Sequence, residues 1–515
     1  MKKETKKQLL IGAALVLELL LLLLYLNGRI NKLLDSDMSS EMVLGQLLAQ
    51  NNELMTTKFY YSTEMRVLSI QLVFALCFKL FRDWHVIRMV VMVCLWVILI
   101  VAYYFLCRAM ECRKYFLLTA LLLFAPVSSC YFEFMLVAAC YIPYVAIAFA
   151  ALALNEVYFK AQPDRKKFWL VVSVLLALVA GLGGPREIIA LYGPIGVAAA
   201  AELLNKKNKT RWQQFIYATF VGAAALLGYA LNMLVLARIY HFATWGWLGF
   251  QLADGSRMVE IFSSFLQLFG ARGTGTEYVF TCAVSVMWIV LTIGCIVYAY
   301  THEVSDGYRR LADFTVAVYL LYFLLYSVTN MLFSARYGIL NTVLSIPLLA
   351  MAAKEVHLNE SKRQWLLAVV ATATIAVGAL VLFRIAGEDQ TTAQRDVTEK
   401  LLAEGYVNGY ATFWNANVLT ELSDGKIEVW QWCSGQDLPE HSSDIDDMSQ
   451  WLQLASHMVE HPSGKVFALF TREEFESNPW RKNLHPEDVI YENEEYIVMS
   501  YPDHDTMKAT LEKGL

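Results

Sequence analysis

The sequence predicts an all-α polytopic membrane bundle followed by a small C-terminal domain of α/β or α+β structure. Composition is the first observation behind this prediction. Hydrophobic residues make up 57% of the 515-residue chain, whereas soluble domains contain about 45–50%. The second observation is a series of apolar runs of about 20 residues, the length that crosses a bilayer. The third is an abrupt change of charge near residue 387.

This change of charge divides the chain. Residues 387–515 contain 25 Asp and Glu against 9 Lys and Arg, while the remainder has a net charge of +11. A basic apolar part and an acidic polar part favour different environments. We therefore expect a transmembrane domain over 1–386 and a soluble domain over 387–515. The nine cysteines show no CxxC spacing, so neither a disulfide framework nor a cysteine zinc site is predicted.

The N-terminus predicts a membrane span rather than a cleaved signal peptide. Basic residues 1–7 precede an apolar run over 8–27. That run is too long for a signal peptide, and no small-residue cleavage site follows it. The lysines place the N-terminus in the cytoplasm, because cytoplasmic flanks of spans are enriched in Lys and Arg.

About eleven spans are predicted, within a range of 11–13. After the first, they are 85–107, 115–129, 131–153, 168–183, 187–203, 212–240, 278–301, 311–331, 337–353 and 364–386. With eleven spans, every strongly basic loop falls on the cytoplasmic side. The shorter segment 67–81 is then a juxtamembrane helix at the outer surface. The acidic C-terminal domain is then predicted to lie on the extracytoplasmic side of the cell membrane.

The C-terminal domain is predicted from its alternation of patterns. A helical pattern covers 392–404. Strand-like runs then cover 410–414, 426–432, 466–470, 489–492 and 496–501.

The outer loop 30–66 is the predicted functional region. It carries Asp35, Asp37, Glu41, Glu53 and Glu64, together with Lys58 and Arg66. Other predicted outer turns contribute Glu133, Arg186 and Arg336. Charged side chains next to a bilayer are costly, and by default they mark a functional cavity.

These motifs resemble a known family in their order along the chain. They are DSD (35–37) after the first span, WHVIR (84–88), Ala125-Pro126, Glu133, YYSTEMRVL (60–68), GLGGPREII (181–189), SARYGI (334–339) and GYATFWNANV (409–418). The set resembles the C superfamily of membrane glycosyltransferases (GT-C), which includes the protein mannosyltransferases and the lipid A aminoarabinose transferases. Lys58-Phe59-Tyr60-Tyr61 stands where many relatives carry Lys-Pro-Pro.

The resemblance implies a transferase that takes a sugar from a polyprenyl-phosphate carrier. An acceptor hydroxyl needs a carboxylate base, which we assign to Asp35 or Asp37 with Asp35 favoured. The departing phosphate needs cations, and a guanidinium fork suits its oxygens. The predicted substrate contacts are Glu41, Lys58, Tyr61, Glu64, Arg66, Glu133, Arg186, Arg336 and Tyr337. Asp35 and Asp37 can instead hold a divalent cation, Mg or Mn, and the sequence also permits a metal-free reaction.

Two further alternatives stay open from the sequence. Asp35-Ser36-Asp37 is also good capping chemistry for a helix that starts there. The protein as a whole can be a non-enzymatic transporter or flippase of lipid-linked glycans, although such a protein should carry charges at mid-membrane. The expected partners are the lipid bilayer, a polyprenyl-phosphate sugar donor, and a glycan, lipid or protein acceptor, with no nucleic acid.

Overall fold

The computed structural model describes residues 2–63, 67–205, 208–242, 249–271, 276–331, 334–433 and 444–513. In these residues, eight helical stretches are long and apolar enough to cross a membrane: Thr5–Asn27, Trp84–Ala109, Ile142–Lys160, Arg211–Arg238, Tyr278–Thr301, Asp306–Val328, Ala335–Glu355 and Glu360–Ile385. The prediction of a multi-pass helical membrane protein is confirmed.

The α-helices follow one another along the chain with short connections. They are α1 (Lys2–Asn27), α2 (Ser36–Asn51), α3 (Gln71–Phe78), α4 (Trp84–Ala109), α5 (Phe116–Ala120), α6 (Ser129–Tyr131), α7 (Ile142–Lys160), α8 (Pro163–Gly181), α9 (Pro185–Glu187), α10 (Gly193–Leu203), α11 (Arg211–Leu234), α12 (Gly255–Leu268), α13 (Thr276–Thr301), α14 (Asp306–Val328), α15 (Ile339–Glu355), α16 (Glu360–Ile385), α17 (Thr392–Ala403), α18 (Phe413–Leu422), α19 (Arg472–Ser477) and α20 (His504–Leu511).

Four predicted spans differ from the observed helices, and one of them, 131–153, is divided into the end of α6, a π-helical turn over Phe132–Val137, and α7. The predicted span 115–129 contains only α5 and a 3₁₀ turn before Pro126, whose missing N–H cannot continue a helix. The predicted span 187–203 is divided into a π-helical turn, Ile188–Tyr192, and the eleven-residue α10. The predicted span 168–183 corresponds to α8, whose first turn is charged. The segment 67–81 holds only the eight-residue α3, which is too short to span.

The N-terminus and the C-terminal domain lie at opposite ends of the bundle. Lys7, near the start of α1, donates to Gln364, near the start of α16. Beyond the other ends of these two helices, the Gln390 amide donates to the Lys32 carbonyl at 2.9 Å. The two helices are therefore parallel, and the end near residue 390 is called the domain side below.

Basic loops collect at the end opposite the domain side. Lys160 donates to the Ala109 carbonyl at 2.7 Å, and Lys354 donates to the neighbouring Met110 carbonyl at 3.2 Å. The loops after α4, α7 and α15 are thereby joined. This grouping is the arrangement that the charge pattern predicts.

The C-terminal domain is built on a five-stranded mixed sheet, as predicted. The strands of the whole protein are β1 (Phe59–Tyr61), β2 (His241–Phe242), β3 (Asn408–Ala411), β4 (Glu428–Gln431), β5 (Gln453–Leu454), β6 (Val466–Thr471), β7 (Val489–Glu492) and β8 (Tyr496–Tyr501). Of these, β1, β2 and β5 form a separate sheet. The large sheet has the order β4-β3-β6-β8-β7, in which β4, β3 and β6 are parallel and β8 is antiparallel to its neighbours. Residues 413–422, part of which was predicted as a strand, form α18.

Two sets of contacts fasten this domain to the membrane part. A three-stranded sheet places β1, from the first loop, between β2 and β5. The second is a buried ion pair between α4 and α18. Arg88 donates from Nε to Glu421 Oε1 at 2.5 Å and from Nη2 to Oε2 at 2.6 Å, and both side chains are at most 5% exposed.

We predict that Arg88→Met destabilises the protein by about 3–5 kcal/mol, because Glu421 is left buried without its partner. The double variant Arg88→Met/Glu421→Leu should recover most of this loss, since no charge then remains buried. Thermal unfolding of the purified protein in detergent measures both. Lys400→Met, which breaks an exposed pair with Glu404, is the control and should leave the thermal midpoint almost unchanged, because solvent screens such pairs. Equal losses in Arg88→Met and the control would contradict the prediction.

Candidate active site

A cavity of about 700 Å³ lies between the membrane helices and the C-terminal domain. We call it the interdomain cavity. Its lining includes Asp35, Asp37, Glu41, Tyr61, Arg88, Tyr141, Arg186, Arg336, Tyr337, Trp451 and Leu452. Six of the residues that the sequence singled out as catalytic or substrate-binding therefore converge with Asp35 on one space, although they come from widely separated parts of the chain.

The first turn of α2 holds the two aspartates. Asp35 is the N-cap, and its Oδ1 accepts the Met38 amide at 2.7 Å. Asp37 is the second residue of α2, and its Oδ2 is 3.7 Å from Arg336 Nη1. Ser36, between them, donates from Oγ to the Phe413 carbonyl at 2.7 Å. Capping is thus a real role of Asp35, and it fixes the carboxylate at the cavity wall.

Two π-helical turns shape the opposite wall. Glu133 lies in the π-helical turn Phe132–Val137, and Arg186 lies in the three-residue α9 just before the turn Ile188–Tyr192. Such turns occur often at functional sites, because the extra residue redirects side chains. Ala139 follows the first turn with φ of +54°, a left-handed conformation that costs about 1–2 kcal/mol for a non-glycine residue.

Aromatic rings hold the two arginines. The Arg186 guanidinium lies over the rings of Tyr141 (4.8 Å) and Tyr337 (5.4 Å). Arg336 lies over Phe134 (5.3 Å) and the same Tyr337 (5.7 Å). Tyr337 therefore lies between both guanidinium groups. This packing orients two cations into one cavity, and Asp37 is the carboxylate beside Arg336.

Asp35, in the cavity lining, and Glu133, which lies outside that lining, both have raised pKa values. Burial raises the pKa of Asp35 most, and the charge of Asp37 adds to the increase, while the Met38 amide opposes it. The Glu133 side chain has an accessible edge but is packed close to other parts of the protein, and the resulting loss of solvation raises its pKa to about 7. The nearby Asp35 charge acts in the same direction, and Arg336 opposes it. Three acidic groups thus share one region with limited compensation.

Some predicted residues have other positions. Lys58 lies outside the cavity lining, and its Nζ donates to Asn51 Oδ1 at 2.6 Å. Tyr61 lines the cavity, but its hydroxyl is already bonded to both the amide and the carbonyl of Thr56. Glu64 and Arg66 lie outside the described residues.

The C-terminal domain supplies a wall that sequence reasoning missed. Trp451 and Leu452 line the cavity. Leu452 has φ of +48°, and its carbonyl accepts from Asn417 at 3.0 Å. The adjacent Gln453 is buried and bonds both the amide and the carbonyl of Gln431. Strained backbone persists where surrounding bonds enforce it, and here it presents Trp451 to the cavity.

Comparison with known proteins identifies the fold. No protein-family model matches the chain, and no curated protein matches it by sequence. Among solved structures, ArnT from Cupriavidus metallidurans in the apo state is similar, with a TM-score of 0.59 and 9% identity over 91% of this chain and 93% of that chain. The same protein bound to undecaprenyl phosphate gives a TM-score of 0.56 and 11% identity, over 95% of this chain and 98% of that chain.

The chain has the fold of ArnT. The fold that the sequence motifs implied is therefore confirmed across both the membrane part and the C-terminal domain, since the similarity covers more than nine tenths of each chain. Within this fold, the interdomain cavity combines carboxylates on α2 with arginines on the facing wall. That combination can accept a proton and bind a phosphate at the same time.

We predict that Glu133 makes the stability of the protein depend on pH, and that Glu133→Gln removes this contribution. In the folded protein the pKa of Glu133 is about 7, against an ordinary value of 4.5. The folded state therefore binds more protons between these values, and Glu133 lowers the free energy of unfolding as the pH rises through this window. The thermal midpoint of the wild type should fall relative to that of Glu133→Gln between pH 5 and pH 8. Parallel pH curves would refute the raised pKa.

Proposed function

We propose that the protein is an integral-membrane glycosyltransferase. It moves a sugar from a polyprenyl-phosphate carrier to an acceptor at the outer face of the cell membrane. The observation that carries this proposal is the convergence of Asp35, Asp37, Arg186 and Arg336 on one cavity at the membrane boundary. The fold supports it, because ArnT is a GT-C aminoarabinose transferase whose structure has been solved with undecaprenyl phosphate bound.

The arginines are proposed to bind the carrier phosphate. A guanidinium offers planar, paired donors to phosphate oxygens. Arg186 and Arg336 both line the cavity and lie over aromatic rings, and Arg336 also has Asp37 within 3.7 Å. Their charges offset the negative charge that develops on the phosphate as the bond to the sugar breaks.

Asp35 is proposed as the general base. The acceptor hydroxyl oxygen attacks the anomeric carbon, the carbon–oxygen bond to the phosphate breaks, and the hydroxyl proton passes to the carboxylate. A base is most effective when its pKa is close to the working pH, and burial moves the pKa of Asp35 in that direction. Asp37 is less favoured because Arg336 lies beside it. Glu133 is proposed to orient the acceptor.

The orientation in the membrane rests on charge. The N-terminus and the basic loops share one end of the bundle, and the C-terminal domain lies at the other end. Because Lys and Arg favour the cytoplasmic side, we place the N-terminus in the cytoplasm and the C-terminal domain outside. The interdomain cavity then opens toward the outer leaflet, where a lipid-borne donor and an envelope acceptor can meet.

A transfer assay tests the base. We predict that Asp35→Asn lowers sugar transfer from a labelled polyprenyl-phosphate sugar, in reconstituted vesicles, by about 10²–10⁴-fold. The fold should survive, since Asn caps helices about as well as Asp. Asp83→Asn is the matched control, because Asp83 caps α4 in the same way outside the cavity. Unchanged transfer in Asp35→Asn would remove the catalytic assignment.

The same assay separates the remaining alternatives. Loss of transfer on chelation, restored by Mg or Mn, would show that the reaction needs a divalent cation. Unchanged transfer would favour the metal-free reaction, in which the arginines alone offset the phosphate charge. Movement of the lipid-linked glycan across the bilayer without transfer would favour a transporter instead.

A binding experiment tests the phosphate contacts. We predict that Arg336→Met weakens binding of polyprenyl phosphate by roughly tenfold or more, because a charged hydrogen-bonding partner contributes about 1.5–3 kcal/mol. Arg384→Met is the control. Arg384 also lies at the domain-side end of the bundle, but it contacts Ser129 and does not line the cavity. Equal affinities for the two variants would place the phosphate elsewhere.

A further inference from the structure

The C-terminal domain contains a second cavity, of about 520 Å³, which we call the sheet-edge crevice. It lies where β3, β4 and β6 end. These strands are parallel, so their carboxyl ends meet at one edge of the sheet. The chain passes from β3 through α18 to β4 on one side, while β6 and the following α19 lie on the other. In open α/β sheets, ligands bind in the crevice that opens where the strand order diverges in this way.

The crevice has an exposed aromatic side chain at its rim. Trp414, at the start of α18, is 56% exposed, and Phe413 lines the crevice beside it. A large exposed indole next to a cavity offers a flat apolar face with a polar edge. Sugar rings present matching flat C–H faces, which makes stacking on such an indole favourable.

Buried polar groups line the crevice floor. Asn415 Oδ1 accepts from Gln394 Nε2 at 3.2 Å and from the Tyr496 hydroxyl at 2.7 Å, and Thr412 Oγ1 donates to Glu474 at 2.7 Å. This network connects α17, α18, β8 and α19. It fixes several donors and acceptors at set positions beside an open space.

Two buried polar atoms of the lining lack partners. The Trp432 side chain and the Gln394 side chain are at most 8% exposed. Within the described residues, Trp432 Nε1 donates no hydrogen bond and Gln394 Oε1 accepts none. An unpaired buried polar atom costs about 1–3 kcal/mol. A ligand rich in hydroxyl groups, which donate and accept equally well, can satisfy both after a small adjustment of the wall.

The charge of the crevice restricts the ligand. Glu473, Glu494 and Glu495 line it and are exposed. The cation of the lining, Arg472, is already bound to the carbonyls of Asn493 and Glu494. Acidic lining of this kind disfavours phosphates and uronic acids, and it favours neutral or amino-bearing groups. The crevice is therefore the electrostatic opposite of the arginine wall in the interdomain cavity.

The crevice also adjoins the interdomain cavity. Phe413 lines the crevice, and its carbonyl accepts from Ser36, the residue between Asp35 and Asp37. One hydrogen bond therefore joins the wall of the crevice to the first turn of α2. A chain of sugars seated in the crevice can extend toward the aspartates.

We propose that the sheet-edge crevice binds a neutral or amino-bearing glycan, and that this glycan is the part of the acceptor that precedes the reacting sugar. The role as acceptor site rests on the proposed glycosyltransferase function. The binding of a glycan at this place does not, because it follows from the crevice itself.

Glycan binding to the full-length protein in nanodiscs tests the proposal by titration calorimetry. The probes are chitotetraose, its fully de-N-acetylated form and tetragalacturonate, which carry acetamide, amino and carboxylate groups respectively. We expect the amino form to bind more tightly than chitotetraose, and no binding of tetragalacturonate. Trp414→Ala should weaken binding by about three- to tenfold through loss of stacking, and Trp414→Phe should restore part of it.

A matched pair of variants tests the charge. Glu473→Gln removes a carboxylate of the crevice and should weaken only the amino form. Glu476 lies on the same helix but pairs with Arg481 outside the crevice. Glu476→Gln should therefore leave the binding of all three probes unchanged. Binding that is insensitive to both Trp414→Ala and Glu473→Gln, or no binding of any probe, would overturn the proposal. If binding follows these expectations but the protein transfers no sugar, the glycan site stands and the transferase function falls.

Discussion

The buried pair between Arg88 and Glu421 is the interaction on which the site depends. Two charges removed from water gain only if their hydrogen bonds are complete. Here the guanidinium meets both carboxylate oxygens, and its Nη2 also donates to the Met38 carbonyl at 3.1 Å. Met38 in turn donates its amide to Asp35. A membrane helix, the C-terminal domain and the proposed base are therefore held by a single connected set of bonds.

This arrangement explains why the C-terminal domain is part of the site. The strained Leu452 and the buried Gln453 hold Trp451 at the interdomain cavity. The strand β5 that contains Gln453 pairs with β1 of the first loop. Separation of the domain from the membrane part would break both the ion pair and this strand pairing. The cavity exists only while the two parts are in contact.

Electrostatics divides the domain side of the protein into two environments. In the interdomain cavity, Arg186 and Arg336 lie on aromatic rings, and both line the open space. In the sheet-edge crevice, glutamates dominate and the arginine is held by backbone carbonyls. The proposed phosphate-bearing donor and the proposed glycan would therefore be separated by charge before the proposed reaction takes place.

The sequence by itself determined the features that depend on local pattern. Apolar runs identified eight long helices, and alternation located β7 and β8 to the residue. Polar residues beside the first span marked Asp35, because both capping and charge near a bilayer are local signals. Helix breaks at Pro126 and at the π-helical turns were less visible, since hydropathy does not report hydrogen-bond register.

Only the tertiary structure decided which residues meet. Arg88 could be noticed in the sequence because it is a charge within an apolar span. Its partner Glu421 lies 333 positions away in an acidic domain, where no local pattern distinguishes it from the other glutamates. Trp451 carries no motif, because strand order and the strained backbone at Leu452 place it. Lys58 had the right charge in the right loop, yet β1 and its bond to Asn51 keep it out of the cavity lining. Long-range pairing depends on packing across the whole chain, and no local pattern encodes it.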